Sequence, residues 1–440
     1  MSRVAHFPVP AGIPVYALDF LEEELVVYGG GGGVGRTGVT NALKVLRILK
    51  DDRKTEALHE TKLSKDEDAP GCLAVERQSH QILAGINCPA EHVKAGRNEP
   101  VRIFDFSVTA STASEKDKVQ AQITLSKAAA AKGLDIRDPE SYIRAIALSP
   151  TGTHLSVGTS DGQHALLRYP SLESAWSDTS AKPESVQEIF DTDFSEDSAQ
   201  VLVCAQRSIK VWATEAGKEG DEKGVGGGKT SSGAHAGRLV QTIQNPGLGG
   251  HSAALAAGNT SPQSAACTFR AAKFGRGDPV NGGTRHRLFT VVNSGSGGSG
   301  SKGKGKADRR SFVTSWDADS WDLVETRKIS DKPVTVFDVS SDGTKLAYGS
   351  SDLSVGVLDA RTLRPLVRIL DAHGFPSTAL KFSPSGRTLI SASADNTLRV
   401  IDVPKDLKPD NGIGELFGSI IVAILLVLVA IWMHNRFDLL

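Results

Sequence analysis

The chain is poor in cysteine, has no excess of either charge and shows no leader for export, and each absence removes a class of function. Cys72, Cys88, Cys204 and Cys267 lack C-x-x-C spacing and nearby histidine pairs, so neither a zinc site nor a disulfide framework is encoded. They read as buried, reduced, small apolar residues of a domain facing the cytosol. Fifty basic side chains stand against 51 acidic ones, a net charge of -1, and such a balance gives no support for a nucleic-acid partner. The first residues, Met1-Ser2-Arg3-Val4-Ala5-His6, have no apolar core of a secretory signal. No Ser-His-Asp set, paired-carboxylate motif or metal cluster stands out, and the histidines are scattered. His373, within Asp371-Ala372-His373-Gly374, reads as a structural polar residue.

Long apolar runs are absent too, with one exception. Residues 416–433 carry no charge, and Ile420, Ile421, Val422, Ile424, Leu425, Leu426, Val427, Leu428 and Val429 fill their middle. As a helix rising about 1.5 Å per residue the run would measure roughly 27 Å, near the hydrocarbon thickness of a thin early secretory membrane. A single transmembrane helix is therefore expected, with residues 404–415 as a short polar linker and residues 434–440 as a lumenal tail. Lys405 and Lys408 before the span against Arg436 after it agree with a cytosolic position for the large domain.

That large domain repeats. Thr335-Val336-Phe337-Asp338-Val339-Ser340-Ser341-Asp342-Gly343 recurs as Ala379-Leu380-Lys381-Phe382-Ser383-Pro384-Ser385-Gly386, and an earlier copy is Ala145-Ile146-Ala147-Leu148-Ser149-Pro150-Thr151-Gly152. Small-residue strands follow, then an Asp turn such as Asp395-Asn396, then strands ending Ile401-Asp402 or Leu358-Asp359. This is the strand-turn-strand pattern of a propeller blade. Phe104-Asp105, Val211-Trp212 and Trp316-Asp317 extend the count to seven blades, near residues 15–50, 71–106, 142–169, 186–213, 264–327, 333–368 and 376–403. The fold class is all-β: a seven-bladed WD-repeat β-propeller over residues 1–403 with one C-terminal transmembrane helix. A strand over residues 4–9 is expected to complete the last blade and hide its edge. The recurring Asp, Ser and Gly are turn and blade residues. Residues 107–141, 214–262 and 294–310 are polar or Gly-rich inserts, expected as disordered loops.

One stretch departs from blade composition. Gly29 to Gly33 continue as Val34-Gly35-Arg36-Thr37-Gly38-Val39-Thr40-Asn41, between the strand-like Leu25-Val26-Val27-Tyr28 and Leu43-Lys44-Val45-Leu46-Arg47-Ile48. Gly33-x-Gly35-x-x-Gly38 fits a dinucleotide fingerprint, and Gly30 to Thr37 resembles a P-loop with Arg36 in the lysine position. A phosphate loop needs a helix opening directly behind it, whereas a strand is expected here. Arg36 also differs from lysine in donor geometry, and no acidic residue closes a second strand about 20 residues on. An enzyme retaining ATP or NAD is thus the weaker reading, and no nucleotide cofactor is expected.

A cytosolic seven-bladed propeller with one C-terminal span and Gly30-Gly31-Gly32-Gly33 followed after four residues by Gly38-Val39-Thr40-Asn41 in its first blade resembles the prolactin regulatory element-binding protein family. The resemblance implies a guanine-nucleotide exchange factor of the endoplasmic reticulum membrane, acting on the small GTPase that initiates COPII coat assembly. It implies further that the glycine loop meets the GTPase and is shaped around a potassium ion held by backbone carbonyls within Gly30 to Asn41. By position, Asn41 becomes the exchange residue facing the GTPase, with Gly30, Gly31, Gly32, Gly33, Thr37, Gly38, Val39 and Thr40 as the partner-binding loop. The rival reading of Asn41 is a turn residue that tolerates left-handed φ. The rival reading of the whole is a membrane-tethered propeller scaffold without exchange activity.

Overall fold

The computed structural model describes residues 4–35, 38–111, 118–178, 187–214, 237–244, 267–294 and 310–407, with Val427 alone beyond them. Within these residues the chain forms seven four-stranded antiparallel sheets whose innermost strands follow one another around a ring. The first blade is Val15–Phe20, Leu25–Gly30, Ala42–Leu49 and Lys54–Lys62. The second is Cys72–Glu76, Gln81–Gly85, Val101–Ser111 and Lys118–Ala129. The innermost strands of the remaining five are Ile143–Leu148, Ile189–Phe194, Cys267–Phe274, Val334–Val339 and Ser377–Phe382.

The ring closes as the sequence suggests. His6–Pro10 lies antiparallel on Thr397–Asp402, pairing Phe7 with Val400 and Val9 with Leu398, so the propeller's first and last strands share one sheet. The expected strand at 4–9 is thus present, shifted by a residue or two. Apolar layers between neighbouring blades hold the ring: Phe20 and Val26 pack with Ile390 and Val400, and Val27 and Leu43 with Ile82 and Phe104. Each fully buried side chain of this kind contributes about 1.5–3 kcal/mol relative to exposure.

Aspartates at one position of the innermost strand add a polar link between blades. Asp19 accepts from the Val75 amide at 3.2 Å, Asp193 from Phe274 at 2.8 Å and Asp338 from Phe382 at 2.9 Å. Arg77, Arg276 and Lys381 of the following blades pair with the same three carboxylates. The recurring aspartates are therefore structural, as their repetition implied.

Two of the three inserts differ from expectation. Residues 107–141 contain the end of Val101–Ser111 and all of Lys118–Ala129, and residues 214–262 contain Leu239–Gln244, the outer strand of the fourth blade. Outer strands bury only part of one face against a neighbour and tolerate the polar composition that marks a loop. Segment 294–310 lies almost wholly outside the described residues, as do residues 416–433 apart from Val427. Among the described residues no helix is long and apolar enough to cross a membrane.

His373 is placed as a blade residue. Its ring nitrogens meet Thr397 Oγ1 at 2.8 Å and Ser391 Oγ at 2.6 Å. Burial, with Arg399 nearby, outweighs the attraction of Asp395 and brings its pKa from 6.5 to about 4. A group whose folded pKa is depressed contributes stability that is complete above its unfolded pKa and is lost as the pH falls. Calorimetry should therefore show the melting temperature falling as the pH is lowered from 6.5 toward 4. A His373→Gln variant, less stable at pH 7.5, should lose less over the same interval.

Candidate functional site

The glycine run begins inside the second strand of the first blade, where Gly29 pairs with Leu43 and Gly30 with Ala42. Here the backbone runs too close to its neighbours for side chains. A Cβ on Gly30 would lie 1.9 Å from the Pro14 carbonyl, and one on Gly31, at φ +140, would lie 2.3 Å from Asn41 Oδ1 and 2.8 Å from the Thr40 carbonyl. Any side chain at these two positions would push the loop off its base. The strand Ala42–Leu49 follows, not a helix, and no row of helix-end amides is available to a phosphate.

Asn41 is the point where the loop is tied down. It is 4 % exposed, and its carboxamide is fully engaged. Oδ1 accepts from the Gly33 amide at 2.9 Å, and Nδ2 donates to the Gly33 carbonyl at 3.2 Å and to the Glu67 carbonyl at 2.8 Å. One side chain thus joins the loop to residues 63–68, which connect the first two blades; the Asn41 carbonyl also accepts from the Leu63 amide at 2.8 Å. That connection is itself anchored. Glu67 pairs with the buried Arg102 at 2.8 Å, and the Asp68 amide donates to the Asn87 carbonyl at 3.1 Å. Asn87 in turn bonds Asn98 and the Ser141 carbonyl.

The expected outward projection of Asn41 is corrected by this geometry: its amide points into the protein because three backbone groups would otherwise be left without partners. The loop residues that face solvent are others. Val34 is 57 % exposed and Val39 39 % exposed, and Gly38 (φ +77) and Thr40 lie on the same exposed arc. Thr37 lies outside the described residues. Glu67, Asp68 and Arg102 escaped the sequence reading; Glu67 acts on the loop through its carbonyl, which leaves no side-chain signature.

The loop stands at one mouth of the propeller's channel. Gly32, Gly33 and Asp68 line a cavity of about 770 Å³ together with Tyr16, Arg144, Phe190, Arg270 and Phe375. Phe375, 59 % exposed, adds an apolar rim. Among the described residues no group of three or more His, Cys, Asp or Glu could hold a metal ion. Oxygens border the loop's glycines: a Cβ on Gly33 (φ +66) would stand 3.2 Å from Asp68 Oδ1, and the Asn41 Oδ1 and Thr40 carbonyl oxygens crowd Gly31.

The four cysteines are free thiols, with Cys72, Cys88 and Cys204 buried, and burial pushes the Cys72 thiol up to about 12. They offer no redox or metal chemistry to this site.

Similarities to known proteins bear on the architecture. The WD domain, G-beta repeat family matches residues 364–402. The chain is similar to the guanine nucleotide-exchange factor SEC12 of Candida glabrata, with 22% identity over 413 residues covering 92% of this chain and 73% of that protein. SEC12-like protein 2 of Arabidopsis thaliana is 23% identical, covering 83% of this chain and 73% of its own length. The putative guanine nucleotide-exchange factor SED4 of Candida glabrata is 22% identical over 97% of this chain and 35% of its own.

Removing the Asn41 carboxamide takes a partner from the Gly33 amide, the Gly33 carbonyl and the Glu67 carbonyl, a cost of about 1–3 kcal/mol. In an Asn41→Ala variant, trypsin should cut after Arg36 on the order of tenfold faster than in the wild type, a local opening of that size. Gly31→Ala should do the same. Timed digestion followed by mass spectrometry measures it.

Proposed function

We propose that this chain, a member of the SEC12 and prolactin regulatory element-binding protein family, is a guanine-nucleotide exchange factor. Its substrate is the small GTPase that starts COPII coat assembly, and residues 416–433 hold it as a single span in the endoplasmic reticulum membrane. The observation that carries this reading is the glycine loop, fastened at its base by Asn41 and exposing Val34 and Val39 beside the channel mouth. A projection fastened at its base and exposing two valines suits a surface that must displace something from a partner, and an exchange factor needs no covalent chemistry. By linkage, a protein that binds the nucleotide-free GTPase more tightly than the GDP form weakens GDP binding by the same factor. The loop's stiffness matters because binding energy spent on ordering it would be subtracted from that difference.

In this scheme Val34, Gly38, Val39 and Thr40 meet the GTPase, and Asn41 is a positioning residue that fixes their backbone. A potassium ion fits the same loop. The oxygens available to it are neutral carbonyls and one carboxylate, Asp68, a donor set suited to a weakly charged monovalent cation. When bound it would stiffen the turn from Gly31 to Gly33; the side chains described above do the rest.

Release of fluorescent GDP from the GTPase, with the full chain in detergent, should be accelerated by the wild type. Asn41→Ala should reduce that acceleration at least tenfold while changing the global melting temperature by only a few degrees. A membrane-tethered scaffold would instead leave GDP release unchanged and bind the GTPase equally in its GDP and empty forms.

The ion has its own readout. Hydrogen exchange at residues 31–35 should be slower in potassium chloride than in lithium chloride at equal ionic strength. Equal rates would remove the ion from the loop.

A further inference from the structure

Six of the seven innermost strands share one irregularity. The ladder slips by a residue between Val15 and Ala17, Ile143 and Ala145, Ile189 and Asp191, Phe269 and Ala271, Val334 and Val336, and Ser377 and Ala379. A bulge leaves one residue outside the pairing and re-aims its side chain. Here those residues are Tyr16, Arg144, Phe190, Arg270, Thr335 and Thr378, and all six line the channel mouth on which the glycine loop stands. The two threonines serve the ring itself, donating to the Ser377 and Val15 carbonyls of the next blades at 2.7 and 2.5 Å.

Arg144, Phe190 and Arg270 come from three consecutive blades and form a stack. The Arg144 guanidinium lies 5.2 Å and that of Arg270 5.1 Å from the centre of the Phe190 ring. The other cations of the mouth are neutralised where they stand: Arg144 by Glu188 at 2.8 Å, Lys273 by Asp191 at 2.6 Å and Lys381 by Asp338 at 3.5 Å. Among the described residues Arg270 has neither a hydrogen bond nor a salt bridge. Burial is the largest influence against its charged form and Arg144 adds repulsion, while Asp191 and Glu188 attract it only at longer range, each already engaged. Arg270 is half-buried and lines the opening, so its guanidinium keeps unfilled donors facing the channel.

We propose that Arg270 is the receptor for a single carboxylate, carried into the channel mouth by an acidic side chain of the GTPase that the loop engages. This rests on the exchange reading and extends it to a second contact, across the mouth from the loop. One unneutralised fork of donors matches one carboxylate in a bidentate pair. A polyphosphate would need several free cations, and the mouth has spent the others. The protein origin of the carboxylate follows from the setting: an arginine stacked on an aromatic ring, with exposed Phe375 lining the same opening, has the composition of an interface anchor.

The test compares the full chain in detergent with its Arg270→Gln variant, measuring GDP release and, separately, binding of the immobilised nucleotide-free GTPase. The variant should need at least tenfold more GTPase for half-maximal exchange at an unchanged maximal rate, and should bind the empty GTPase at least tenfold more weakly. Its melting temperature should be equal or higher, because a cation that has no salt bridge among the described residues and is repelled by Arg144 has been removed; an arginine with a purely structural role would lower it. Arg270→Lys, which keeps the charge and loses the fork, should fall between. Weaker binding by the variant without exchange by the wild type would overturn the exchange reading and keep the receptor. Equal binding by wild type and variant, or binding by neither, would overturn the receptor.

Discussion

The site depends on one buried carboxamide. Asn41 satisfies both the N–H and the C=O of Gly33 and reaches the Glu67 carbonyl, so a loop that should cost the most entropy to order is fixed by a single side chain. Its grip is only as firm as residues 63–68, and these are held by Arg102 on Glu67 and by the Asn87, Asn98 and Ser141 network of the second blade. Loop, first blade and second blade thus form one rigid unit. The glycines supply what no side chain would allow, namely passage against the Pro14 carbonyl and then against Asn41 itself.

The propeller supplies the second half of the site by repetition. Every innermost strand starts near the channel axis, and in six of the seven blades a bulge at that point turns one residue into the opening. Where the ring needs only closure the residue is a threonine bonded to the next blade. In the third, fourth and fifth blades it is arginine or phenylalanine, and these stack on one another across the blades. The repeat that stabilises the ring therefore also decides which six side chains a visitor at the mouth meets.

Much of the fold is legible in the sequence because the inner three strands of a blade are buried and their turns need Asp, Ser and Gly at set places. Asp338 and Phe382 recur because one bonds the other's backbone, and such periodicity survives insertions. The outer strands Lys118–Ala129 and Leu239–Gln244 were illegible for the opposite reason: each is half exposed and its polar residues resemble those of a loop. The glycine loop announced itself by composition, and the strand after it ruled against a phosphate cradle. The inward turn of Asn41 could not be read, since its partners are two backbone groups and a peptide 26 residues away. Nor could the bulge ring, because a one-residue slip in register leaves no mark on composition.

The central claim is that the loop is already set before any partner arrives and that Asn41 keeps its internal bonds when one does. Hydrogen exchange of the Gly33 amide, followed in the full chain alone and in complex with the nucleotide-free GTPase, tests it most directly. The account predicts strong protection in both states, with Asn41 Oδ1 as acceptor throughout. Protection that disappears on complex formation would mean that Asn41 swings out to meet the GTPase, and the account would be wrong.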